Sequence, residues 1–240
     1  MFHDSSTAAV LFRISSGFLG FRNRLLDAAA LYLARPLKHY GPATIADPQS
    51  LAATLRPGDV LLTQGNTRMA ALVRRITGSP WSHVSMYVGP LEDGPDPRCI
   101  VEADIAAGVR AIPLSELDGL QVRVLRPAAL HDADRRRLAD WVVSRIGDQY
   151  DVALAWALAR RLLRLSSTLR LPPAPSAMVQ GATRFICSSL LAQAFLLAGY
   201  PIVPAQLGVR AAGTADHRYV TPRDFASAAL FEVVRATSAV

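Results

Sequence analysis

The sequence predicts an α+β fold in which an antiparallel meander precedes a set of helices. Two observations predict it. Between about residues 57 and 127, short apolar stretches alternate with a period of two and are separated by Gly, Pro and Asp, the pattern of strands joined by turns. From residue 132 onward the apolar spacing changes to three and four, the period of helices with one buried stripe.

Residues 1–48 read as an amphipathic helical extension and linker, and residues 49–240 as the main domain. In the extension Phe21, Leu25, Ala29 and Tyr32 recur on one side, with Asn23, Arg24, Asp27 and Arg35 on the other. Such a helix either packs on the domain or rests on acidic lipid. The run Arg35-Pro36 to Asp47-Pro48 reads as a linker.

In the main domain, LRPGDVLLTQ gives a turn at Pro57-Gly58 and then a short apolar strand. WSHVSMYVGP alternates, with His83, Ser85 and Tyr87 on one face and Val84, Met86 and Val88 on the other. RCIVEAD repeats the period and places Ile100 and Glu102 on one face. VRAIPL and LQVRVLRP are two further strands.

A helix follows, with Asp132 or Asp134 as N-cap, Leu138, Trp141, Val142 and Ile146 as its stripe, and Gly147 at its end. The arginines at 135–137 read as a solvated face. A second helix is expected from Asp151 to Leu165, and prolines at 172, 173 and 175 break the chain after it. A third runs from Cys187 to Ala198, closed by Gly199 and Pro201.

Composition narrows the function. At 240 residues and 51% hydrophobic, the chain has a sizeable core, and disordered, collagenous and coiled-coil classes are excluded. Strictly apolar stretches such as Ala28 to Ala34 fall far short of the roughly 20 residues of a spanning helix. Of 26 basic residues only Lys38 is a lysine, and no glycine pattern precedes it, which excludes a Walker-type phosphate loop and argues against Schiff-base chemistry. The arginine excess suits an anionic membrane surface. Nucleic acid is not expected, because the arginines are dispersed and no zinc-finger or RNP-like motif accompanies them. Two cysteines, Cys99 and Cys187, make neither a disulfide framework nor a cysteine-rich zinc site. MFHDSS is a poor signal peptide, so the expected location is cytoplasmic, with a peripheral position on the inner membrane face as a variant.

Three residues carry candidate chemistry. Cys187 opens a helix in RFICSSLLAQAFLLAG, where free backbone N–H groups and the helix dipole favour a thiolate. His83 begins a strand, and Glu102 interrupts the apolar run Cys99-Ile100-Val101, where a carboxylate needs a partner once buried. Taken singly, each residue also suits a structural role. Taken together they supply a nucleophile, a base and an orienting group.

The motifs PGD (57–59), SHV (82–84), VEA (101–103), G-x-x-YD (147–151), ICS (186–188) and TPRDFA (221–226) occur in this order. In that order they resemble the circularly permuted NlpC-type papain-like proteins, nearest the YiiX/YebB-like cysteine hydrolases and more distantly lecithin:retinol acyltransferase. The resemblance covers about residues 55–228. It implies a barrel-like antiparallel sheet packed against helices, with Cys187 as nucleophile, His83 as base, Glu102 as polar third residue and Tyr150 in substrate contact or oxyanion binding. Asp59 is expected to pin the first strand. The implied reaction is cleavage of an amide or ester through a Cys187 thioester, without metal or cofactor, by a bacterial hydrolase or acyltransferase. Its substrate would be a small peptide, an amino-acid amide or an acyl lipid. Relatives commonly carry an acid two positions after the cysteine, where this chain has Ser189.

Three alternatives stand beside this. One uses Cys187, His83 and Glu102 as metal ligands, although no HExxH or CxxC is present. Another is a catalytically inactive membrane-surface module on the same fold. In a conventional Cys-then-His order, the base would be His217.

Overall fold

The computed structural model describes residues 32, 35–37, 48–151, 154, 184–203 and 219–234. Most of the expected N-terminal extension, most of the helix expected from Asp151 to Leu165, the arginines at 160–170 and His217 lie outside the described residues.

In chain order the elements are α1 (Pro48–Thr54), β1 (Val60–Gln64), α2 (Arg68–Thr77), β2 (His83–Tyr87), β3 (Arg98–Asp104) and β4 (Gly108–Pro113). A 3-10 turn (Leu114–Leu117), β5 (Gln121–Pro127), α3 (Asp132–Val143), β6 (Gln149–Tyr150) and β7 (Arg184–Phe185) follow. The last are α4 (Cys187–Leu197), α5 (Pro222–Ser227) and β8 (Phe231–Val234). Six strands form an antiparallel sheet in the order β4-β3-β2-β1-β5-β8. The expected meander holds for β1 to β4, but β5 returns to the free edge of β1, with Val60 opposite Leu125. β6 and β7 make a separate parallel pair.

Period-two alternation divides the apolar side chains between two cores. On one face Val60, Leu62, Val84, Met86, Val101, Ala103 and Leu125 meet Leu190, Leu191, Ala194 and Phe195 of α4 and Leu138 and Val142 of α3. On the other, Leu61, Ile100, Ile112 and Val124 pack under Leu51 and Leu55 near α1 and Leu117 of the 3-10 turn. The β1 residues Val60, Leu61 and Leu62 are all fully buried, which is why the central strand reads as an unbroken apolar run.

Asp59, fully buried just before β1, ties these layers together. Its Oδ2 accepts the Arg56 N–H at 2.9 Å and an Arg126 Nη2–H at 2.7 Å. Arg126 Nε donates to Oδ1 at 2.9 Å, and Arg135 Nη1 lies 3.5 Å from the same oxygen. The expected pinning role of Asp59 therefore extends across β5 and α3.

It also corrects the expectation for Arg135, which is buried rather than solvated. Besides facing Asp59, it donates to the carbonyls of Pro127 at 2.8 Å and Leu130 at 3.2 Å. Arg136 and Arg137 are exposed, as expected.

Other helix boundaries differ from expectation. His131, not Asp132 or Asp134, occupies the N-cap of α3; the two acids sit in its first turn, where negative charge suits the free N–H groups. The helix stops at Val143, short of Gly147, so Ile146 is 42% exposed instead of completing the stripe. In α4 the expectation holds to within one residue. Gly199 takes the left-handed conformation beyond the cap (φ 84), and the Tyr200 N–H reaches back to the Phe195 carbonyl at 2.8 Å.

At the N-terminal side, Arg68 stacks over the Tyr32 ring at 4.3 Å and donates to its hydroxyl. The Leu37 N–H donates to the Asn66 carbonyl at 2.7 Å, so residues 35–37 run along the loop ahead of α2. Among the described residues no helix is long and apolar enough to cross a membrane.

Replacing Asp59 by Asn would leave the buried Arg135 and the partly buried Arg126 guanidinium groups facing a neutral amide. Breaking a buried ion pair costs about 3–5 kcal/mol, so Asp59→Asn is expected to lower the urea midpoint sharply. Arg137→Ala, whose side chain is 81% exposed, is expected to leave it unchanged. Equal midpoints for the two variants would refute the central role of Asp59.

Candidate active site

His83 is placed by the turn that precedes it. Trp81 is buried in the larger core, with Arg123 stacked 4.7 Å from its ring centre. Ser82 Oγ accepts the Gly65 N–H at 2.8 Å and lies 3.2 Å from the Thr63 carbonyl, to which it donates. These contacts fix the start of β2 against the end of β1, with His83 paired to Thr63.

Glu102 comes from the adjacent strand. Met86 pairs with Val101 and Tyr87 with Ile100, so the alternation puts His83 and Glu102 on one sheet face. His83 Nε2 lies 2.8 Å from Glu102 Oε2. The imidazole keeps 24% of its side-chain surface open and the carboxylate 10%, so a ligand reaches the ring more readily than the acid.

One partner of Glu102 was missed in the sequence. Arg110, directly opposite it on β4, donates from Nε to Oε1 at 3.0 Å, and its Nη2 lies 2.8 Å from the same oxygen. The signal was available in the hairpin: a turn over residues 105–107 pairs Asp104 with Gly108 and hence Glu102 with Arg110.

Cys187 opens α4, whose apolar side chains are buried against β2 and β3. Its thiol neighbours the His83 ring and the backbone N–H groups of Val84 and Ser188, all of which favour its charged form. The start of the helix is held by its neighbours. Ser188 Oγ donates to the Val220 carbonyl at 2.6 Å, and Ser189 Oγ accepts the Ile186 N–H at 3.0 Å. Ser189, the departure noted in the sequence, is thus a buried cap.

Electrostatics couple the three groups. Burial opposes ionisation of the Cys187 thiol, but the charge and hydrogen bond of His83, with the two N–H donors, lower its pKa overall. Burial likewise opposes the charged imidazole, yet the adjacent thiolate and Glu102 raise His83 well above its ordinary value. For Glu102, burial is outweighed by His83 and Arg110, which bring the carboxyl down to about 2. Cys187 and His83 therefore favour the thiolate–imidazolium form.

Tyr150 belongs to the same neighbourhood. β6 pairs it with Phe185, two residues before Cys187. Burial, then the negative charges of Cys187, Asp104 and Asp151, hold its phenol neutral. The segment reaches this position because residue 108 is glycine: it has φ +75, and a Cβ there would stand 2.4 Å from the Asp148 carbonyl oxygen. Cys99 is elsewhere, 2% exposed in the smaller core, where burial pushes its thiol up to about 11.

A metal would need donors converging on one point. Here the imidazole links the thiol and the carboxylate, and Arg110 occupies the other carboxylate oxygen. Among the described residues no three His, Cys, Asp or Glu side chains gather as a metal site requires.

Residues 54–161 match the family described as permuted papain-like amidase enzyme, YaeF/YiiX, C92 family. Over this stretch, a little under half of the chain, the sequence is similar to the permuted papain-like YaeF/YiiX family. The matched stretch contains His83, Glu102, Arg110 and Tyr150 and ends before Cys187. The chain is also similar in fold to the crystal structure of yiiX from Escherichia coli O157:H7, which is described as a metalloprotein. The identity is 16% and the TM-score 0.51, over 76% of this chain and 98% of that one. No curated protein matches. The family implies hydrolase activity of the amidase class.

Iodoacetamide at mildly acidic pH is expected to modify Cys187 well before Cys99, as followed by peptide mass spectrometry. Equal or reversed rates in folded protein would be incompatible with a lowered Cys187 pKa.

Proposed function

We propose that this protein is a cysteine hydrolase that cleaves an amide or ester bond through a Cys187 thioester, with His83 as base and Glu102 as orienting residue. The observation that carries this reading is the His83 ring held 2.8 Å from Glu102, beside the thiol that opens α4.

Glu102 occupies Nε2, leaving Nδ1 of His83 to exchange a proton with the thiol. The thiolate attacks the substrate carbonyl, and the oxyanion that forms is held by backbone N–H groups at the start of α4, with the neutral Tyr150 phenol as a further donor. His83 gives its proton to the leaving nitrogen or oxygen, the bond to carbon breaks, and a thioester remains on Cys187. His83 then takes a proton from water, whose oxygen attacks the thioester, releasing the carboxylic acid and restoring the thiol. A second alcohol or amine in place of water would make the same intermediate an acyl-transfer step.

p-Nitrophenyl acetate, an activated ester, tests the sequence of events. A burst of p-nitrophenol equal to one Cys187 per chain is expected, and Cys187→Ala abolishes it. His83→Ala is expected to cost several orders of magnitude, on the scale of triad removals. Glu102→Gln falls between it and wild type, because an amide accepts the imidazole hydrogen bond but does not stabilise its charge. His217→Ala is expected to retain most activity. A folded His83→Ala variant with full activity beside an inactive His217→Ala would move the base to His217.

The pH dependence has a definite sign. Activity falls on the acid side as the Cys187 thiolate is protonated, below the ordinary thiol pKa of about 8.5. It falls on the alkaline side as His83 loses its proton, above the ordinary imidazole value of about 6.5. Glu102, ionised down to about 2, sets neither limb. A single alkaline-rising profile, as for an isolated thiol, would contradict the ion pair.

A further inference from the structure

We propose that Arg110 is a positioning residue for this site: by holding Oε1 of Glu102 it leaves Oε2 aimed at the His83 ring. The inference rests on the cysteine-hydrolase reading and adds a positioning residue to it.

A carboxylate buried beside a single imidazole has two oxygens and a freely turning terminal torsion. Here each oxygen has its own partner. Arg110 Nε and Nη2 lie 3.0 and 2.8 Å from Oε1, while His83 Nε2 lies 2.8 Å from Oε2. Two donors from a planar guanidinium on one oxygen fix the rotation of the group as well as its charge. The cross-strand pairing of Glu102 with Arg110 aims the side chain before any substrate binds.

Arg110 does not touch the thiol, so it acts through Glu102. The ionisable groups around the relay come from several elements: Cys187 on α4, Glu102 and Asp104 on β3, Glu116 beside Arg110 on the 3-10 turn, and Tyr150 on β6. Arg110 is the cation of this set that bears on Glu102 besides His83 itself.

Two physical roles for Arg110 predict opposite signs. A guanidinium acting only as a like charge would lower the affinity of His83 for a proton, and its removal would raise the His83 midpoint. A guanidinium that aims the carboxylate strengthens the His83–Glu102 contact, and its removal lowers the midpoint.

The experiment is an NMR titration of the His83 ring in the full-length protein, assigned by its loss in His83→Ala, beside the iodoacetamide rate at Cys187. Arg110→Met is expected to lower the His83 midpoint by about one pH unit, the scale of one adjacent opposite charge. It is also expected to slow Cys187 alkylation about tenfold at mildly acidic pH. Arg110→Lys, which keeps the charge without the planar two-donor grip, recovers part of both. In a Glu102→Gln background, Arg110→Met is expected to add nothing further, because its route runs through the carboxylate.

A raised midpoint, an unchanged one, or full additivity in the double variant would overturn the proposal. If Arg110→Met does not fold, Arg110→Lys and its combination with Glu102→Gln decide on the same readouts. Failure of the underlying reading looks different: wild-type Cys187 would then alkylate no faster than Cys99.

Discussion

The antiparallel register that sets Met86 against Val101 and Tyr87 against Ile100 determines what surrounds the site. Alternation turns Val84, Met86, Val101 and Ala103 toward α4 and leaves the positions between them for His83, Ser85 and Glu102. A shift of one residue would exchange these sets, burying the carboxylate under the apolar helix and turning the valines to the opposite face. The hydrophobic contact that fixes α4 on the sheet and the polar contact that orients the imidazole are two consequences of one pairing. His83 lies at the very start of β2, where the helix also starts, and the thiol there meets both its ring and the N–H of the next residue, Val84.

Two buried carboxylates in this fold show how surroundings separate support from chemistry. Asp59 is fully enclosed and compensated by Arg126, Arg135 and the Arg56 N–H. Each partner is a permanent cation or a backbone donor, so the cluster holds one charge state and joins β1, β5 and α3. Glu102 has one permanent cation, Arg110, and one partner that changes charge, His83. That imidazole is partly open and in contact with a second titratable group, the thiol. A carboxylate whose partner gains and loses a proton supports proton transfer, whereas one held by fixed charges supports structure.

The strands were legible because each is short, alternates or, in β1, runs apolar throughout, and ends at or just before Gly, Pro or Asp. All five predicted strands are present, and the face shared by His83 and Glu102 followed from parity alone. α4 was legible because its apolar stripe and closing glycine agree with one another. What escaped depends on contacts between distant segments. α2 carries Arg68, Arg74 and Arg75 among its apolar residues and follows β1 closely, so it did not stand out from a loop. The edge strand β8 is four residues long, only partly covered, and is specified by pairing with β5. Arg135 sits in a triplet that looks solvated, and only the return of β5 beside β1 creates the buried acid and carbonyls it satisfies. Arg110 was hidden differently: its strand was assigned, but its partner follows only once the hairpin register is drawn.

Chain order matters little to a site assembled in this way. His83, Glu102 and Tyr150 come from one continuous stretch, and Cys187 follows after a gap of more than thirty residues. What brings the thiol to the ring is the packing of Leu190, Leu191, Ala194 and Phe195 against the sheet, reinforced by Ser188 on Val220 and Ser189 on Ile186. A helix held by its apolar face delivers its first residue to the same place whether its segment precedes or follows the strands. The permutation thus preserves the relation of thiol to imidazole, and the covalent path between them is free to vary. Ser189 contributes to that placement locally: 2% exposed, it closes the first turn of α4 by accepting the Ile186 N–H.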